Sequence, residues 1–224
     1  MDFAEIGKPP KNKFADKSVT GVLGLAFPSA IIGDVSQTFM DQVDSDDKSF
    51  EINLHKNPEE SYLLIPGKDF GESNGHDTHF LVEKHYWGLN VDYIQKDKDH
   101  KILTPKHLLT LDTSSSLIHG PKEVIAPLID GITVSSDCSN LDSLPPLHFA
   151  VDGQAYTLTG NDYVQKVGST CQLGVVATDA TDKYIHLGTQ FITKHSPIYF
   201  NYEKGYIQLT RPVVKETEFM QWTI

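Results

Sequence analysis

No stretch of this sequence approaches the roughly 18–20 consecutive apolar residues of a membrane-spanning helix, so no such span is expected. Basic side chains are the minority, 19 Lys and Arg against 30 Asp and Glu, for a formal net charge of -11. That balance argues against nucleic acid or an anionic membrane as the main partner, since both require a positive face. No N-x-Ser/Thr acceptor occurs. The opening "MDFAEIGKPPKNKF" lacks the basic flank and apolar stretch of a signal peptide, and Met1 is read as belonging to a fragment of a longer chain. "GVLGLAF" lacks the Lys-Ser/Thr of a phosphate-binding loop and the third glycine of a dinucleotide fingerprint. The ten histidines are scattered with no H-x-x-x-H pair, so neither a metal nor another cofactor is expected. Cysteine is scarce as well. Cys138 and Cys171 form no C-x-x-C unit, which leaves one disulfide or two unrelated buried thiols. A bridge across that separation would stabilise by roughly 3–4 kcal/mol in the chain-entropy model and would imply an oxidising compartment.

What is present is enough apolar material for a core. The 224 residues are 39% hydrophobic and 22% charged, sufficient for one large or two modest domains. The dominant hydrophobic period is two. Residues 49–55, 61–67, 78–94, 147–159, 183–188 and 196–211 alternate or run apolar, are rich in Ile, Val, Tyr, Phe and Thr, and are broken by Gly, Pro, Asn and Asp. These are strand signals. Asp152-Gly153 and Lys204-Gly205 mark hairpin turns, and the charged run 95–101 reads as a solvated hairpin tip. Residues 33–43 read as a helix capped by Asp34. Residues 120–132 read as a helix with Pro121 in its first turn, and 160–167 as a third, short one. The class is mainly β with a few short helices.

Two features suggest chemistry. "LDTSSSLIHGP" (111–121) sets an aspartate at the end of an apolar run and before a string of hydroxyls, which can hold its carboxylate ionised and fix its direction. The same string also makes an ordinary Asx or Ser/Thr turn. "VTGVLGLAFPS" (19–29) and "YIHLGTQFITK" (184–194) share Leu-Gly-x-x-Phe after a strand-like lead-in, which suggests a duplicated unit.

Read in order, the segments resemble pepsin-like aspartic endopeptidases. "VTGVLGLAFPS" is similar to that family's Asp-Gly-Ile/Val-Leu-Gly-Leu segment, and "FEINLH…SYLLIPGKDFGES" to the paired strands joining its two lobes. "HFLVEKHYWGLNVDYI" resembles the strand carrying a Tyr-Trp pair, here Tyr86 and Trp87. "LTLDTSSSLIHGP" is similar to the second catalytic segment, "CSNLDSLPPLHFAVDGQAYTLTGNDYVQK…CQLG" to the Cys-to-Cys segment, and "YIHLGTQFITKHSPIYFNYEKGYIQLTR" to the closing segment. The resemblance runs over roughly residues 14–211 and implies a pepsin-like acid-protease β-barrel lobe. It divides the chain into a remnant of the N-terminal lobe (1–48), inter-lobe sheet strands (49–78), a C-terminal lobe with closing strands of that sheet (79–212) and a tail (213–224). It further implies a catalytic role for Asp112, supported by Thr113, Ser114, Ser115 and Ser116, with Tyr86 and His186 as candidates for the substrate cleft. His186 is otherwise read as an ordinary strand histidine, and Trp87 as strand packing. The implied location is secreted, or lysosomal or vacuolar.

The sequence departs from the family in ways that bear on activity. The family draws one catalytic aspartate from an Asp-Thr/Ser-Gly loop in each of two lobes; only one segment here matches such a loop, so the first catalytic aspartate and the flap are missing, and Val22-Leu23-Gly24 lacks the loop it would underlie. Ser114 stands where the family has glycine, and is expected to crowd the site and strain the backbone. Thr20 replaces the usual Asp, and His186 an apolar residue. The chemistry needs two carboxyls about 3 Å apart sharing one proton, one as base and one as acid. A lone Asp112 is therefore expected to be inactive. Two readings follow: the C-terminal part of an aspartic endopeptidase, whose partners are a peptide or protein substrate and an N-terminal lobe segment, or a non-catalytic pseudo-protease that binds peptides or proteins. Pairing of two copies through their Asp112 loops is disfavoured, because the first-lobe remnant would stand where the second copy docks.

Overall fold

A computed structural model of the protein describes residues 22–31, 36–71, 75–97, 100–103, 106–179, 181 and 183–211. The expected Asp34 cap, Thr20 and the tail 213–224 lie outside them. Strands dominate, as the period-two pattern requires, and the helices are short. Each strand expected from alternation is present, but the long segment 78–94 is divided. It contains the strands His76–Phe80, Glu83–Lys84, Trp87–Asn90 and the start of Tyr93–Lys96.

Strands from both ends of the described chain meet in a five-stranded sheet. Its order is Tyr62–Leu64, Ser49–Asn53, Ile198–Asn201, Tyr206–Thr210, His76–Phe80, with antiparallel pairing throughout. A four-stranded antiparallel sheet pairs Gln154–Leu158, Leu147–Val151, Tyr93–Lys96 and His100–Leu103. The Leu147–Val151 hairpin turns on Asp152 and Gly153 at φ 50° and 79°, the left-handed pair that a tight primed turn demands. Gly205 likewise takes φ 71° at the Ile198–Thr210 hairpin.

The six-stranded sheet positions the site. Its order is Val175–Thr178, Ile118–Pro121, Tyr184–Leu187, Leu108–Leu111, Trp87–Asn90, Glu83–Lys84. Two pairings are parallel: Tyr184–Leu187 with Leu108–Leu111, and Val175–Thr178 with Ile118–Pro121. Strands in the middle of such a sheet are covered on both faces, and they read as apolar runs rather than alternation. Leu108, Leu109, Thr110, Ile118, Tyr184, Ile185 and Leu187 are all buried. Gly120 lets two of these strands approach closely, since a Cβ there would stand 3.2 Å from the Ile185 Cα.

The helices differ from expectation at their ends. Between residues 36 and 43 the helix is Phe39–Gln42, begun by Thr38. The Thr38 hydroxyl accepts from the Asp41 amide at 3.1 Å, and the Asp41 carboxylate accepts from the Thr38 amide at 2.8 Å. The second helix is Lys122–Ile129, with Pro121 as its cap rather than in its first turn, because the residues before it are committed to the Ile118–Pro121 strand. Val124, Ile125 and Leu128 bury its apolar stripe. In the third, Gly160–Tyr163, the helix ends early and Val164–Val167 pairs as a strand with Thr170–Leu173. A fourth helix, Thr189–His195, follows the second Leu-Gly segment. Cys138 and Cys171 form a disulfide.

Candidate active site and metal-ligand cluster

Asp112 leaves the Leu108–Leu111 strand at the point where the chain turns outward. Its amide donates to the Leu187 carbonyl at 3.0 Å, continuing the parallel ladder one residue beyond the strand. The loop it opens rests on the second Leu-Gly segment, where the Thr189 amide donates to the Ser115 carbonyl at 2.8 Å. A Cβ on Gly188 would stand 2.6 Å from that same carbonyl oxygen, so glycine is required there by space alone. Gly24, its counterpart in the first Leu-Gly segment, has nothing within 4 Å of an added Cβ among the described residues. Val22 and Leu23 beside it are 65% and 47% exposed. The first segment is anchored elsewhere, by Phe27 packed on Trp87 with ring centroids 4.7 Å apart and by the Trp87 indole donating to the Leu25 carbonyl.

The carboxylate of Asp112 is engaged on both oxygens. Oδ1 accepts from the Ser114 amide at 2.8 Å and from the Ser114 hydroxyl at 2.6 Å. Oδ2 faces two imidazoles, His119 Nε2 at 3.7 Å and His186 Nδ1 at 3.8 Å. The facing His119 ring, both Ser114 donors and the charge of His186 outweigh partial burial and hold the carboxyl well below the usual carboxylate range. Ser114 is not strained: it is absent from the left-handed region that holds Asp97, Cys138 and Asp152 among non-glycine residues. The expected crowding is replaced by a short hydrogen bond, because a backbone with negative φ accommodates a Cβ and turns the hydroxyl onto Oδ1.

Ser115 bonds within the loop instead, its hydroxyl accepting from the Leu117 amide at 3.0 Å. Thr113 and Ser116 are exposed, and neither donates to Asp112 among the described residues. Tyr86, 37% exposed, lies edge-on to Tyr184 at 5.1 Å and 6.2 Å from the His186 ring. Trp87 is buried in the core.

His119 is the residue that spacing arguments miss. It sits seven positions after Asp112, and His186 sits much farther along, on another strand. The antiparallel register pairs the two directly, and their rings stack at 4.5 Å with planes 15° apart. Each is the one position of its strand that is not fully buried. The signal present in the sequence is the repeated Ile-His, Ile118-His119 and Ile185-His186, each breaking an otherwise apolar strand. With Asp112 the two histidines make a three-ligand group whose ligand atoms lie within 4.8 Å of one another. An ionised carboxylate flanked by imidazoles can serve as an ion-paired anchor, as a general base, or as part of a metal ligand set.

Comparison with known proteins agrees with this architecture. The eukaryotic aspartyl protease family matches residues 1–211. The chain belongs to that family. Cathepsin D of Chionodraco hamatus is 32% identical over 197 residues, covering 79% of this chain and 50% of the cathepsin. A probable vacuolar protease A of Arthroderma benhamiae is 28% identical, with 93% of this chain and 56% of the relative covered. Cathepsin E-A of Xenopus laevis is 27% identical over 80% of this chain and 49% of its own length. The chain thus spans about half the length of the curated relatives it matches. In this member of the aspartyl protease family, the Asp112 loop and the Leu187-Gly188 segment beneath it form one packed unit, whereas the Leu23-Gly24 surface is open among the described residues.

Proposed function

We propose that this aspartyl protease chain does not cleave peptides by itself, and that it serves as a peptide- or protein-binding lobe. One observation carries the reading: Asp112 Oδ1 accepts from Ser114, and Oδ2 faces the ring nitrogens of His119 and His186 at 3.7 and 3.8 Å where the chemistry would need a second carboxyl. Peptide hydrolysis by a carboxyl dyad requires a second carboxyl about 3 Å away and a proton shared between the two. Among the described residues the side chains facing Asp112 Oδ2 are two imidazoles, and neither supplies the carboxylic acid of such a dyad. Tyr86 and His186 border the surface on which a peptide would lie.

The second reading, the C-terminal part of an aspartic endopeptidase that hydrolyses peptide bonds at acid pH, draws support from the open Gly24 and the exposed Val22 and Leu23. On that reading an N-terminal lobe segment covers this surface and brings the other aspartate. The disulfide and the vacuolar name of one relative support an oxidising location, secreted or lysosomal/vacuolar. Among the described residues no helix is long and apolar enough to cross a membrane.

The test uses denatured haemoglobin at acid pH with and without pepstatin. The chain alone is expected to give no pepstatin-sensitive cleavage. An N-terminal lobe carrying an Asp-Thr-Gly loop is then added in trans. The binding reading expects no cleavage from the unaltered chain and a gain only when Ser114→Gly, His119→Val and His186→Ile are combined. Cleavage by the unaltered chain with the added lobe overturns it in favour of the endopeptidase.

A further inference from the structure

Asp112, His119 and His186 hold their polar atoms around one point, and they are delivered there by three separate pieces of backbone. The Leu108–Leu111 strand ends at Asp112, and the directly paired strands Ile118–Pro121 and Tyr184–Leu187 present the two imidazoles. We propose that this trio is a binding site for Zn²⁺, with a fourth coordination position open to solvent. The proposal goes beyond the binding reading above and stands whether or not the chain ever cleaves a peptide.

The donor set suits the ion. Two imidazole nitrogens and a carboxylate oxygen are ligands that zinc takes in three-ligand sites whose fourth place is filled by water or substrate. The separations favour tetrahedral geometry. Bond lengths of about 2.0–2.1 Å place tetrahedral ligand atoms roughly 3.3–3.4 Å apart, and octahedral neighbours roughly 2.9 Å apart. The carboxylate–imidazole distances of 3.7 and 3.8 Å need only a few tenths of an ångström of closure to meet the tetrahedral value. The two rings, stacked with planes 15° apart, must in addition rotate out of that stack for both nitrogen lone pairs to converge on the ion. The side chains are reachable, with exposures of 21% for Asp112, 28% for His119 and 18% for His186.

The support around the carboxylate is built as a metal site requires. Ligating carboxylates and imidazoles are oriented by outer hydrogen bonds, whose loss weakens binding. Here Ser114 occupies Oδ1 through its amide and its hydroxyl and leaves Oδ2 turned to the histidines. The serine that departs from the family's glycine therefore has a defined use, as the outer support of a ligand.

Isothermal titration of the chelator-stripped chain with zinc chloride tests the proposal, with Co²⁺ absorption on the unaltered protein as a second measurement. The expected result is one Zn²⁺ per chain at micromolar affinity or tighter, with the intense visible band of tetrahedral Co²⁺. His119→Gln and His186→Gln are each expected to abolish that binding, and Ser114→Ala to weaken it roughly 10–100-fold. Circular dichroism verifies that each variant is folded, and the exposed pair His100 and Asp97 serves as control through His100→Gln, expected to change nothing. Absence of stoichiometric binding, a weak octahedral cobalt spectrum, or binding that survives both histidine substitutions would overturn the site.

Discussion

Gly188 and Gly24 occupy equivalent places in the two Leu-Gly segments, yet among the described residues only Gly188 is sterically enclosed. At Gly188 the Ser115 carbonyl oxygen stands 2.6 Å from an added Cβ, far inside van der Waals contact, and the contact is to backbone that cannot rotate away. Its φ is negative, so the cost of a larger residue is steric rather than conformational. Gly188→Ala is expected to destabilise by about 1–3 kcal/mol and to displace the Asp112 loop. Gly24→Ala, facing open space, is expected to stay within about 0.5 kcal/mol of the parent. Urea unfolding of the two variants in parallel measures the difference, and equal effects would show that the Leu187-Gly188 segment does not carry the loop. The same contrast explains the Asp112 surroundings: a loop seated on glycine is fixed tightly enough to hold a serine hydroxyl 2.6 Å from a carboxylate oxygen.

Among the elements, the Cys138–Cys171 bridge ties the segment after the Lys122–Ile129 helix to the Thr170–Leu173 strand. Closing a loop of 33 residues' separation removes unfolded-chain entropy worth roughly 3–4 kcal/mol. Cys138 itself stands at φ 66°, a conformation that costs a non-glycine residue of order 1 kcal/mol. A Cys138→Ala, Cys171→Ala double variant is therefore expected to unfold at clearly lower urea concentration. Changing position 138 to Gly instead of Ala should recover part of the loss; no recovery would mean that the left-handed backbone persists only because of the bridge. The elements themselves were largely legible. Alternation located the hairpins because each has one wetter face, and Asp152-Gly153 located a turn because it needs two positive φ values. The strand Ile118–Pro121 was hidden because Gly-Pro ahead of an amphipathic run reads locally as a helix start, while the neighbouring strand Tyr184–Leu187 claims it for the sheet. Val164–Val167 was hidden for a similar reason: its partner strand outweighs its own weak helical preference. Asp112 and Ser114 could be located from the resemblance, whereas the juxtaposition of His119 with His186 depends on a cross-strand register that no local spacing encodes.

At the scale of the whole molecule, the pH range of the fold is constrained by a buried histidine. His195 closes the Thr189–His195 helix, is 2% exposed, and packs against Phe191 and Tyr156 with ring centroids 4.5 and 5.1 Å away. Burial, assisted by the charge of Lys194, lowers its pKa to about 4. In the unfolded chain the imidazole returns to about 6.5. Between those values the unfolded state binds the proton and the folded state does not, so stability must fall as pH drops from 6.5 to 4. Full traversal of that window corresponds to a loss on the order of 3 kcal/mol. Asp112 acts in a different window: its depressed pKa stabilises the fold above the ordinary carboxylate range, and that contribution is lost only as pH falls below about 4. The two effects are separable by titrating stability. Thermal unfolding followed from pH 7 to pH 4 is expected to show a falling midpoint in the parent chain. His195→Gln, which removes the titrating group, is expected to flatten the decline in that interval even if it lowers the midpoint at pH 7. An equal slope in both proteins would remove His195 as the cause. At acid pH the fold must therefore hold against a buried histidine that resists protonation. The bridge between Cys138 and Cys171 supplies a pH-independent contribution of comparable size to offset it.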